Sequence, residues 1–280
     1  MKIAVIMACF NRKVKTLECL QNLKELDLPD TIYRLDVYLV DDGSTDGTYD
    51  AVKINFPKVN VIKGTGNLFW NGGMRLAWNK ASQTEDYDFY LWLNDDVILR
   101  KFALKELMDC YLEGLKNEGV LGIVTGAFQN PKNNLAFSYG GRNETGAVKP
   151  NGKLQECKYI NGNAVLVAKE IFKSLGNLSP DYTHAMGDFD YGLRAINAGF
   201  KNYTTRQYIG LCEVNCSPNW ANPKVPLKKR LKLFKSPTGL SYPEYIVFRK
   251  KFWGTKWILF AIKAYARVLF PSMYKKIKKN

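Results

Sequence analysis

The stretch Leu35–Gly47, LDVYLVDDGSTDG, joins an apolar run to a turn of carboxylate, hydroxyl and glycine residues. The run predicts a short buried strand over Leu35–Val40, and the turn predicts the start of a helix at Thr48. Similar strands alternate with amphipathic helices before and after it, which predicts an α/β fold with a mostly parallel central sheet and helices on both faces. The other strands predicted in this part of the chain are Ile3–Ala8, Val59–Lys63 and Phe89–Leu93, and the helices are Val14–Leu26, Thr48–Asn55, Gly72–Gln83 and Lys101–Asn117.

The alternation becomes less regular after Val120. Strands are predicted at Leu121–Phe128 and Ala164–Val167, and the connection between them begins with a Gly- and Asn-rich stretch. A loop and a helix are predicted within Ser179–Ala198, and a last strand over Asn202–Val214. These elements predict a second half of the same domain.

Charge is distributed unevenly along the chain. Of the 41 Lys and Arg residues and 26 Asp and Glu residues, 16 basic residues and one acidic residue lie in 224–280, which leaves 25 of each in 1–223. The Pro- and Asn-rich segment Pro218–Pro226 marks the change, so we predict a domain over 1–217 and a basic tail over 218–280. A basic tail that also holds Trp, Phe, Ile and Leu favours an anionic membrane surface over nucleic acid as the partner.

The segment Trp257–Phe270 is too short to cross a bilayer, which takes about 20 apolar residues, and Lys263 and Arg267 interrupt it. As a helix it predicts an apolar sector flanked by basic side chains, which would lie in the lipid headgroup layer. The alternative is a packed pair of C-terminal helices with a solvated basic face. The predicted sector comprises Trp257, Phe260, Ile262, Tyr265, Val268 and Leu269.

The six cysteines are scattered, and the N-terminus enters a strand pattern at once instead of a signal peptide. We therefore expect a cytoplasmic protein without a disulfide framework, associated with the inner face of the cell membrane through its tail. Cys212 and Cys216 are the one closely spaced pair, and without a second pair of ligands we expect thiols there rather than zinc.

Polar clusters follow three of the predicted parallel strands, at Ala8–Arg12, Asp41–Asp42 and Asn94–Asp96. Ligands bind beyond the carboxyl ends of such strands, so we expect the clusters to meet at one edge of the sheet. A turn that only caps a helix is the alternative for the segment after Val40. The neighbouring carboxylates Asp95 and Asp96 would repel each other without a cation, which Mg²⁺ or Mn²⁺ bridging to a diphosphate would supply. Solvated turn acids are the alternative there.

Together these motifs resemble those of the inverting family 2 glycosyltransferases of the GT-A fold, in particular the rhamnosyltransferase-like branch. Val40–Thr48 matches the family's V-D-D-G-S-T-D-G-T motif throughout, and Ala8–Arg12 matches its opening P/T-x-N-R segment loosely. Leu93–Asp96 is similar to the L-D/N-x-D metal signature, with Asn94 in the place of the first acid. Gly187–Phe200 resembles the E-D-x-D-L-x-x-R motif of the general base, with Gly in the place of Glu.

The resemblance implies a nucleotide-binding half over 1–120 and an acceptor half over 121–217. It implies that Asp42, together with Asp41, binds the base or ribose, and a carboxylate suits the imide N–H of uracil or thymine. Arg75 would clamp the diphosphate, although a pair with a helix acid is the alternative. Asp96 would hold Mn²⁺ or Mg²⁺. The other residues implied to line the nucleotide site are Ala8, Asn11, Arg12, Asn67, Asn71, Gly72, Asn94 and Asp95.

The resemblance also implies positions for the donor sugar, the acceptor and the base. Trp70 and the segment Asn161-Gly162-Asn163 would border the sugar, with core packing and a tight turn as the respective alternatives. His184 would contact the acceptor or the diphosphate, unless it only supports its loop. We favour Asp188, which stands in the place of the family's general base, and Asp190 is the second choice. A structural pair between Asp190 and Arg194 is also expected from their spacing.

The function expected from the sequence is the transfer of a sugar from a UDP- or dTDP-sugar to a glycan or polyprenyl-linked acceptor in cell-surface polysaccharide synthesis. A sugar nucleotidyltransferase is disfavoured, since the opening segment lacks the Gly-rich signature with clustered Arg and Lys that those enzymes need. Two functions of a different class stay open: a non-catalytic sugar-nucleotide-binding membrane adaptor, and a nucleic-acid binder acting through the tail. The sequence leaves open the donor sugar, the acceptor and linkage, a third metal ligand and the oligomeric state.

Overall fold

The computed structural model describes residues 1–32, 34–214 and 219–277. The chain divides into two compact units: Met1–Ser179 with Asp188–Val214, and Pro180–Gly187 with Asn215–Asn280. The boundary predicted at residue 217 and the thiol of Cys216 fall outside the described residues, so the two-domain organisation stays a prediction.

The first unit is built around one large mixed sheet. Its strands are β1 (Lys2–Cys9), β2 (Arg34–Asp41), β3 (Asn60–Lys63), β4 (Phe89–Leu93), β5 (Ile98–Leu99), β6 (Gly122–Gln129), β9 (Gln155–Glu156), β10 (Ala164–Ala168) and β11 (Lys201–Leu211), and β7 (Arg142–Asn143) pairs with β8 (Gly146–Ala147) in a separate ribbon. The helices along this part of the chain are α1 (Lys13–Lys24), α2 (Thr48–Asn55), α3 (Phe69–Thr84), α4 (Ala103–Glu118), α5 (Lys169–Leu175) and α6 (Gly187–Asn197).

The strand order is β3-β2-β1-β4-β10-β6-β11-β5, with β9 added on β11. β1, β2, β3 and β4 run parallel, and β6 and β11 also run parallel to each other. β10 lies antiparallel between β4 and β6, so its first residue lies at the edge where β4 ends. The predicted α/β class with a mostly parallel sheet flanked by helices is confirmed. β10 and the short strands β5 and β9 pair antiparallel, which the apolar pattern did not reveal.

The sheet is buried because its central strands are apolar on both faces, as expected for strands covered by helices. Ile3 to Met7 in β1 and Phe89 to Leu93 in β4 are buried throughout. Helix α3 approaches β1 closely at Gly73, where a Cβ would lie 2.8 Å from the Cβ of Ala8. Glycine is required there by the packing and not by its backbone angles.

Two predicted boundaries are wrong in ways that bear on the site. Helix α3 begins at Phe69 instead of Gly72, which places Trp70 and Asn71 on the helix and not in the loop before it. Its early start follows from Asp42, whose carboxylate accepts hydrogen bonds from the backbone of Leu68 and Phe69. Strand β11 ends at Leu211 instead of Val214.

The second unit is helical. It holds α7 (Leu227–Lys235), α8 (Tyr242–Trp253), α9 (Trp257–Leu269) and α10 (Pro271–Ile277), with short 3-10 turns at Asn219–Ala221 and Gly254–Lys256. Its core is formed by Trp220, Phe234, Ala264 and Val268, and Phe234 stacks on Tyr242 with ring centroids 4.7 Å apart. Among the described helices of the chain, none is long and apolar enough to cross a membrane.

Helix α9 has two different apolar faces. Ala261, Ala264 and Val268 are buried in the tail, whereas the opposite face is exposed to solvent. The predicted assignment of Val268 to the exposed sector is therefore wrong, because it lies seven residues after Ala261 on the same side of the helix. The exposed large apolar side chains along α9 and its end are Ile258, Leu259, Ile262, Tyr265, Leu269 and Phe270.

Candidate functional site

The turns that follow β1 and β2 are hydrogen-bonded to each other. Asn11, which has a positive φ of 50°, donates its backbone N–H to Ser44 Oγ at 2.8 Å. Its side-chain oxygen accepts the N–H of Thr45 at 2.8 Å. Ala8, the next-to-last residue of β1, is paired with Val40 of β2. The first two predicted clusters therefore form one continuous wall at the carboxyl edge of the sheet.

Asp41 supplies this wall with a buried oxygen that is available for a ligand. One carboxylate oxygen, Oδ1, accepts the N–H of Ser44 at 2.8 Å. The other, Oδ2, is buried and has no hydrogen-bond partner among the residues that the structure describes. A buried acceptor of this kind is costly unless a donor reaches it. An N–H donor of a bound molecule would satisfy it.

Asp42, by contrast, is used by the protein backbone. Its Oδ1 accepts the N–H of Gly66 at 2.8 Å, and its Oδ2 accepts the N–H groups of Leu68 and Phe69, each at 2.8 Å. These bonds fix the loop that leads into α3. Both Asp42 oxygens are thus hydrogen-bonded to this loop, whereas Oδ2 of Asp41 is not, and the ligand role of either residue stays a prediction.

The acidic cluster after β4 is joined to the turn after β1 by Arg12. The Arg12 guanidinium contacts Asp95 Oδ1 at 3.1 Å and Asp96 Oδ2 at 2.7 Å through the same nitrogen, Nη1. Asp95 also accepts a hydrogen bond from the Thr16 hydroxyl at 3.1 Å. Burial raises the pKa of Asp95 to about 6, against the opposing effect of Arg12, while Asp96 raises it further. The side chain of Asp96 is the more exposed of the two carboxylates.

A divalent cation fits this cluster only with help from a ligand. Within 1–32, 34–214 and 219–277, no group of three or more His, Cys, Asp or Glu side chains is arranged to hold a metal ion. The cluster does offer the Asp96 carboxylate, a hard oxygen donor of the kind that Mg²⁺ and Mn²⁺ bind. Phosphate oxygens and water would have to complete the coordination.

Asn94 is hydrogen-bonded to the protein through both polar atoms of its side chain. Its Oδ1 accepts the indole N–H of Trp70 at 2.6 Å, and its Nδ2 donates to Asn163 Oδ1 at 2.5 Å. The backbone N–H of Asn94 also donates to the carbonyl oxygen of Asn163 at 3.0 Å. Asn163 in turn donates to Cys212 Sγ at 3.4 Å. Asn94 therefore positions Trp70 and the start of β10.

The segment before β10 links Trp70 to the acidic motif of α6. A Cβ on Gly162 would lie 2.4 Å from Trp70 Cζ2, so glycine is needed where the indole ring covers the backbone. The N–H of Gly162 donates to Asp188 Oδ2 at 3.1 Å. The side-chain oxygen Oδ1 of Asn161 accepts a hydrogen bond from the backbone N–H of Asn163 at 3.3 Å, which is a local contact within the turn.

Asp188 has the properties of a general base. It is half-buried, and its other oxygen, Oδ1, accepts the N–H of Phe189 at 2.8 Å. Burial raises its pKa to about 6, and the hydrogen bonds from Phe189 and Gly162 oppose that rise. A carboxylate with such a pKa takes up a proton more readily than an ordinary aspartate and is still ionised at neutral pH.

Asp190 is structural. It is fully buried, and its Oδ2 accepts a hydrogen bond from Arg194 Nε at 2.7 Å, the pair expected from the spacing. Arg194 also donates to the carbonyl oxygens of Leu175 at 2.8 Å and Asn177 at 3.0 Å. This pair holds the loop after α5, and the geometry favours Asp188 over Asp190 as the base.

The predicted residues on α3 face the same loop. Arg75 Nε donates to the carbonyl oxygen of Leu178 at 2.9 Å, and Asn71 Nδ2 donates to that of Ser179 at 2.9 Å. Arg75 forms no ion pair with a helix acid in the described part of the chain. Gly72 packs on Leu68, and Asn67 is exposed in the turn before α3.

His184 is exposed and belongs to the second unit, whereas the other predicted site residues belong to the first. The sequence did not single out Thr16 or Ser44, which orient Asp95 and Asn11. Both are hydroxyl residues next to predicted site residues, and that proximity was the available signal. The contact between Asn94 and Asn163 had no such signal, because the two residues lie far apart in sequence.

Comparisons with known proteins bear on the family and the fold. A sequence profile described as "Glycosyl transferase family 2" matches residues 4–159. No curated protein gives a significant match. Among solved structures, the chain is similar to the mannosyltransferase PcManGT from Pyrobaculum calidifontis in complex with GDP-Man and Mn²⁺, with 18% identity, a TM-score of 0.57, and coverage of 96% of this chain and 70% of that one. It is also similar to S. aureus TarS 1-349 in complex with UDP-GlcNAc, with 16% identity, a TM-score of 0.54, and coverage of 96% and 72%. At these identities the likeness shows the GT-A type of fold.

Proposed function

Because the chain belongs to glycosyl transferase family 2, we propose that it moves a sugar from a UDP- or dTDP-sugar to a hydroxyl group of a glycan or polyprenyl-linked acceptor, with inversion at the anomeric carbon. The observation that carries the proposal is the placement of Asp188. It is a carboxylate with a raised pKa, and the backbone N–H of Gly162 joins it to the segment that supports Trp70. A rhamnosyl donor is the first candidate, in keeping with Asn94.

The nucleotide is proposed to bind along the wall formed by Asn11 and Asp41. The free Oδ2 of Asp41 would accept the imide N–H of uracil or thymine. Cytosine lacks that N–H, so this contact would select uridine or thymidine nucleotides. Arg12 would shift part of its interaction from Asp96 to the diphosphate, since a guanidinium binds phosphate oxygens as well as carboxylates.

The chemical step then needs one proton acceptor. Asp188 would take the proton of the acceptor hydroxyl as its oxygen forms a bond to the anomeric carbon. The bond from that carbon to the diphosphate oxygen breaks at the same time, and the electron pair leaves with the diphosphate. Asp96 would hold Mn²⁺ or Mg²⁺ when the metal is bound, and the metal would neutralise charge on the leaving group. The neighbours PcManGT and TarS, solved with GDP-Man and Mn²⁺ and with UDP-GlcNAc, support a nucleotide-sugar donor.

The second unit is proposed to bind the inner face of the cell membrane. Its residues after 223 carry 16 basic side chains and one acid, and α9 exposes Ile258, Leu259 and Ile262. The apolar side chains would enter the headgroup layer. Each basic residue near an anionic leaflet would add about 1 kcal/mol to the binding free energy. A polyprenyl-linked acceptor would be found at such a surface.

The donor is tested by thermal stability against UDP-, dTDP- and GDP-sugars, dTDP-rhamnose included, with and without Mn²⁺. Wild type, Asp41→Asn and Asp96→Ala are compared with Asp50→Asn, an exposed acid on α2. Saturating ligand at about 100 times its dissociation constant adds about 2.7 kcal/mol of stability. We expect one nucleotide class to stabilise wild type and Asp50→Asn. The stabilisation should be smaller for Asp41→Asn, and for Asp96→Ala it should not depend on Mn²⁺. No response to any nucleotide sugar would contradict the proposal and favour the nucleic-acid binder instead.

Membrane binding is tested separately by flotation with vesicles of zwitterionic or anionic lipid. Ile262→Glu on α9 is compared with Ile54→Glu on α2, since both isoleucines are exposed. We expect wild type and Ile54→Glu to float with anionic vesicles and Ile262→Glu to stay in solution. Equal binding by both variants would contradict the role of α9, and tighter binding to DNA or RNA than to vesicles would favour a nucleic-acid binder.

A further inference from the structure

Arg230 of α7 is a buried cation that has no counter-ion in the described part of the chain. Its side chain is 8% exposed, and its Nε and Nη1 atoms are buried without a hydrogen-bond partner among the described residues. Phe234 lies one turn further along the same helix and is fully buried in the aromatic core of the tail. Because arginine does not deprotonate in proteins, Arg230 cannot avoid the cost of burial by becoming neutral.

The tail offers almost no carboxylate that could pair with it. Glu244 is the one acid after residue 223, and it is already used. Its Oε2 accepts the N–H of Thr183 at 3.1 Å, and its Oε1 accepts the hydroxyl proton of the same residue. Arg230 has no ion pair within 1–32, 34–214 and 219–277.

The start of α7 adds a second group of unused donors. The helix has no side-chain cap and no acid in its first turn, although acids are preferred there. Arg230 donates its backbone N–H to the carbonyl oxygen of Pro226, which leaves the N–H groups of Leu227, Lys228 and Lys229 without an intrahelical partner. Helical side chains lean toward the N-terminus, so the Arg230 side chain is expected to lie over the first turn of α7, where these N–H groups are.

We propose that Arg230 and the first turn of α7 bind a phosphate group. Guanidinium and backbone N–H donors together suit a phosphate, and a helix N-terminus favours negative charge. The phosphate would belong either to a membrane lipid headgroup or to a free phosphate in solution. The proposal is independent of the glycosyl transfer proposed above, since it involves none of the residues of the first unit.

The experiment uses the full chain as wild type, Arg230→Met and Lys229→Met. Lys229 is exposed, so its variant removes the same charge from the same turn without touching the buried group. Melting temperatures are measured with sodium phosphate and with sodium chloride at equal ionic strength. Sedimentation is measured with phosphatidylcholine vesicles that contain or lack phosphatidic acid.

We expect Arg230→Met to melt at or above wild type without phosphate, because it removes an unpaired buried charge. If free phosphate is the ligand, it raises the melting temperature of wild type and Lys229→Met by about 5 °C and leaves Arg230→Met unchanged. If a lipid phosphate is the ligand, free phosphate has little effect, and Arg230→Met binds phosphatidic acid vesicles at least tenfold more weakly than Lys229→Met.

Equal responses of Arg230→Met and Lys229→Met in both assays would overturn the proposal. A large loss of stability in Arg230→Met with its phosphate response intact would also overturn it and make Arg230 a structural residue. Should Arg230→Met not fold, Arg230→Lys takes its place, since lysine keeps the charge and loses the planar donor pair. A reduced phosphate response in Arg230→Lys supports the site, and an unchanged response contradicts it.

Discussion

Replacing Asp188 with asparagine is expected to make the protein more stable while it removes the proposed base. Asp188 is ionised at neutral pH, although burial disfavours its charged form. Asparagine has nearly the same shape and carries no charge. It keeps one acceptor oxygen for the N–H of Phe189 and loses the acceptor that faces Gly162.

The size of the effect follows from the pKa. Burial raises the pKa of Asp188 from 3.8 to about 6, and each pKa unit corresponds to 1.36 kcal/mol. Below pH 3.8 both the folded and the unfolded carboxyl groups are protonated, and the charge costs nothing. Between that pH and about 6 the unfolded chain ionises first, so folding stability falls as pH rises. Above pH 6 the full cost of about 3 kcal/mol applies. The lost hydrogen bond offsets about 1 kcal/mol, so we expect a net gain of about 2 kcal/mol for Asp188→Asn at pH 8.

The assay is urea denaturation of wild type, Asp188→Asn and Asp50→Asn at pH 4 and at pH 8. At pH 8 the free energy of unfolding of Asp188→Asn should exceed that of wild type, and the difference should shrink toward zero at pH 4. Asp50→Asn, which changes an exposed residue, should show no gain at either pH. Glycosyl transfer by Asp188→Asn should fall at least about a hundredfold, and the kcat/KM of wild type should rise as pH passes through about 6. A variant that is less stable than wild type at pH 8, or equally shifted at both pH values, would refute the reasoning.

Three further substitutions test the supports of the site. Arg194→Ala should cost about 3–5 kcal/mol in chemical denaturation, because it removes the ion pair that Arg194 forms with the buried carboxylate of Asp190; a cost below 1 kcal/mol would argue that this ion pair contributes little to stability. Asp42→Asn should lower stability by about 2 kcal/mol through the loss of charge-assisted bonds, while nucleotide affinity measured by calorimetry falls less than in Asp41→Asn; the reverse order would restore Asp42 as the ligand contact. Trp70→Phe should cost about 1–3 kcal/mol, since it leaves Asn94 Oδ1 without its donor, and unchanged thermal stability would show that this bond contributes nothing.

The alternation of apolar runs and amphipathic helices was sufficient to predict the sheet and the edge where the site lies. The carboxyl ends of parallel strands must meet at one edge, so the clusters after β1, β2 and β4 could be placed together without knowing any distance. The spacing of Asp190 and Arg194 on one helix likewise predicted their pair. The first inference follows from the geometry of a parallel sheet, and the second from the spacing of two residues on one helix. Neither requires knowledge of contacts between distant parts of the chain.

The different hydrogen-bond partners of neighbouring residues within each cluster could not be predicted from the sequence. Asp41 and Asp42 are neighbours in a motif, and their roles differ because the backbone of Gly66 to Phe69 folds back onto Asp42 alone. Asn94 could be assigned to the protein only after β10 was found beside β4. The apolar run Ala164–Val167 gives no sign of strand direction, since a buried strand looks the same in either orientation.

The antiparallel direction of β10 bears on how such a protein can diversify. Strand β6 ends, and β10 begins, at the edge of the sheet that holds Asp96, so the excursion over residues 130–163 leaves and rejoins the scaffold at that edge. The entropic cost of closing a loop grows only slowly with its length. Insertions and deletions in the loops of this excursion can therefore change the surface at that edge while β6 and β10 keep their register. Chimeras that exchange this excursion between relatives would show whether it contributes to the proposed acceptor specificity.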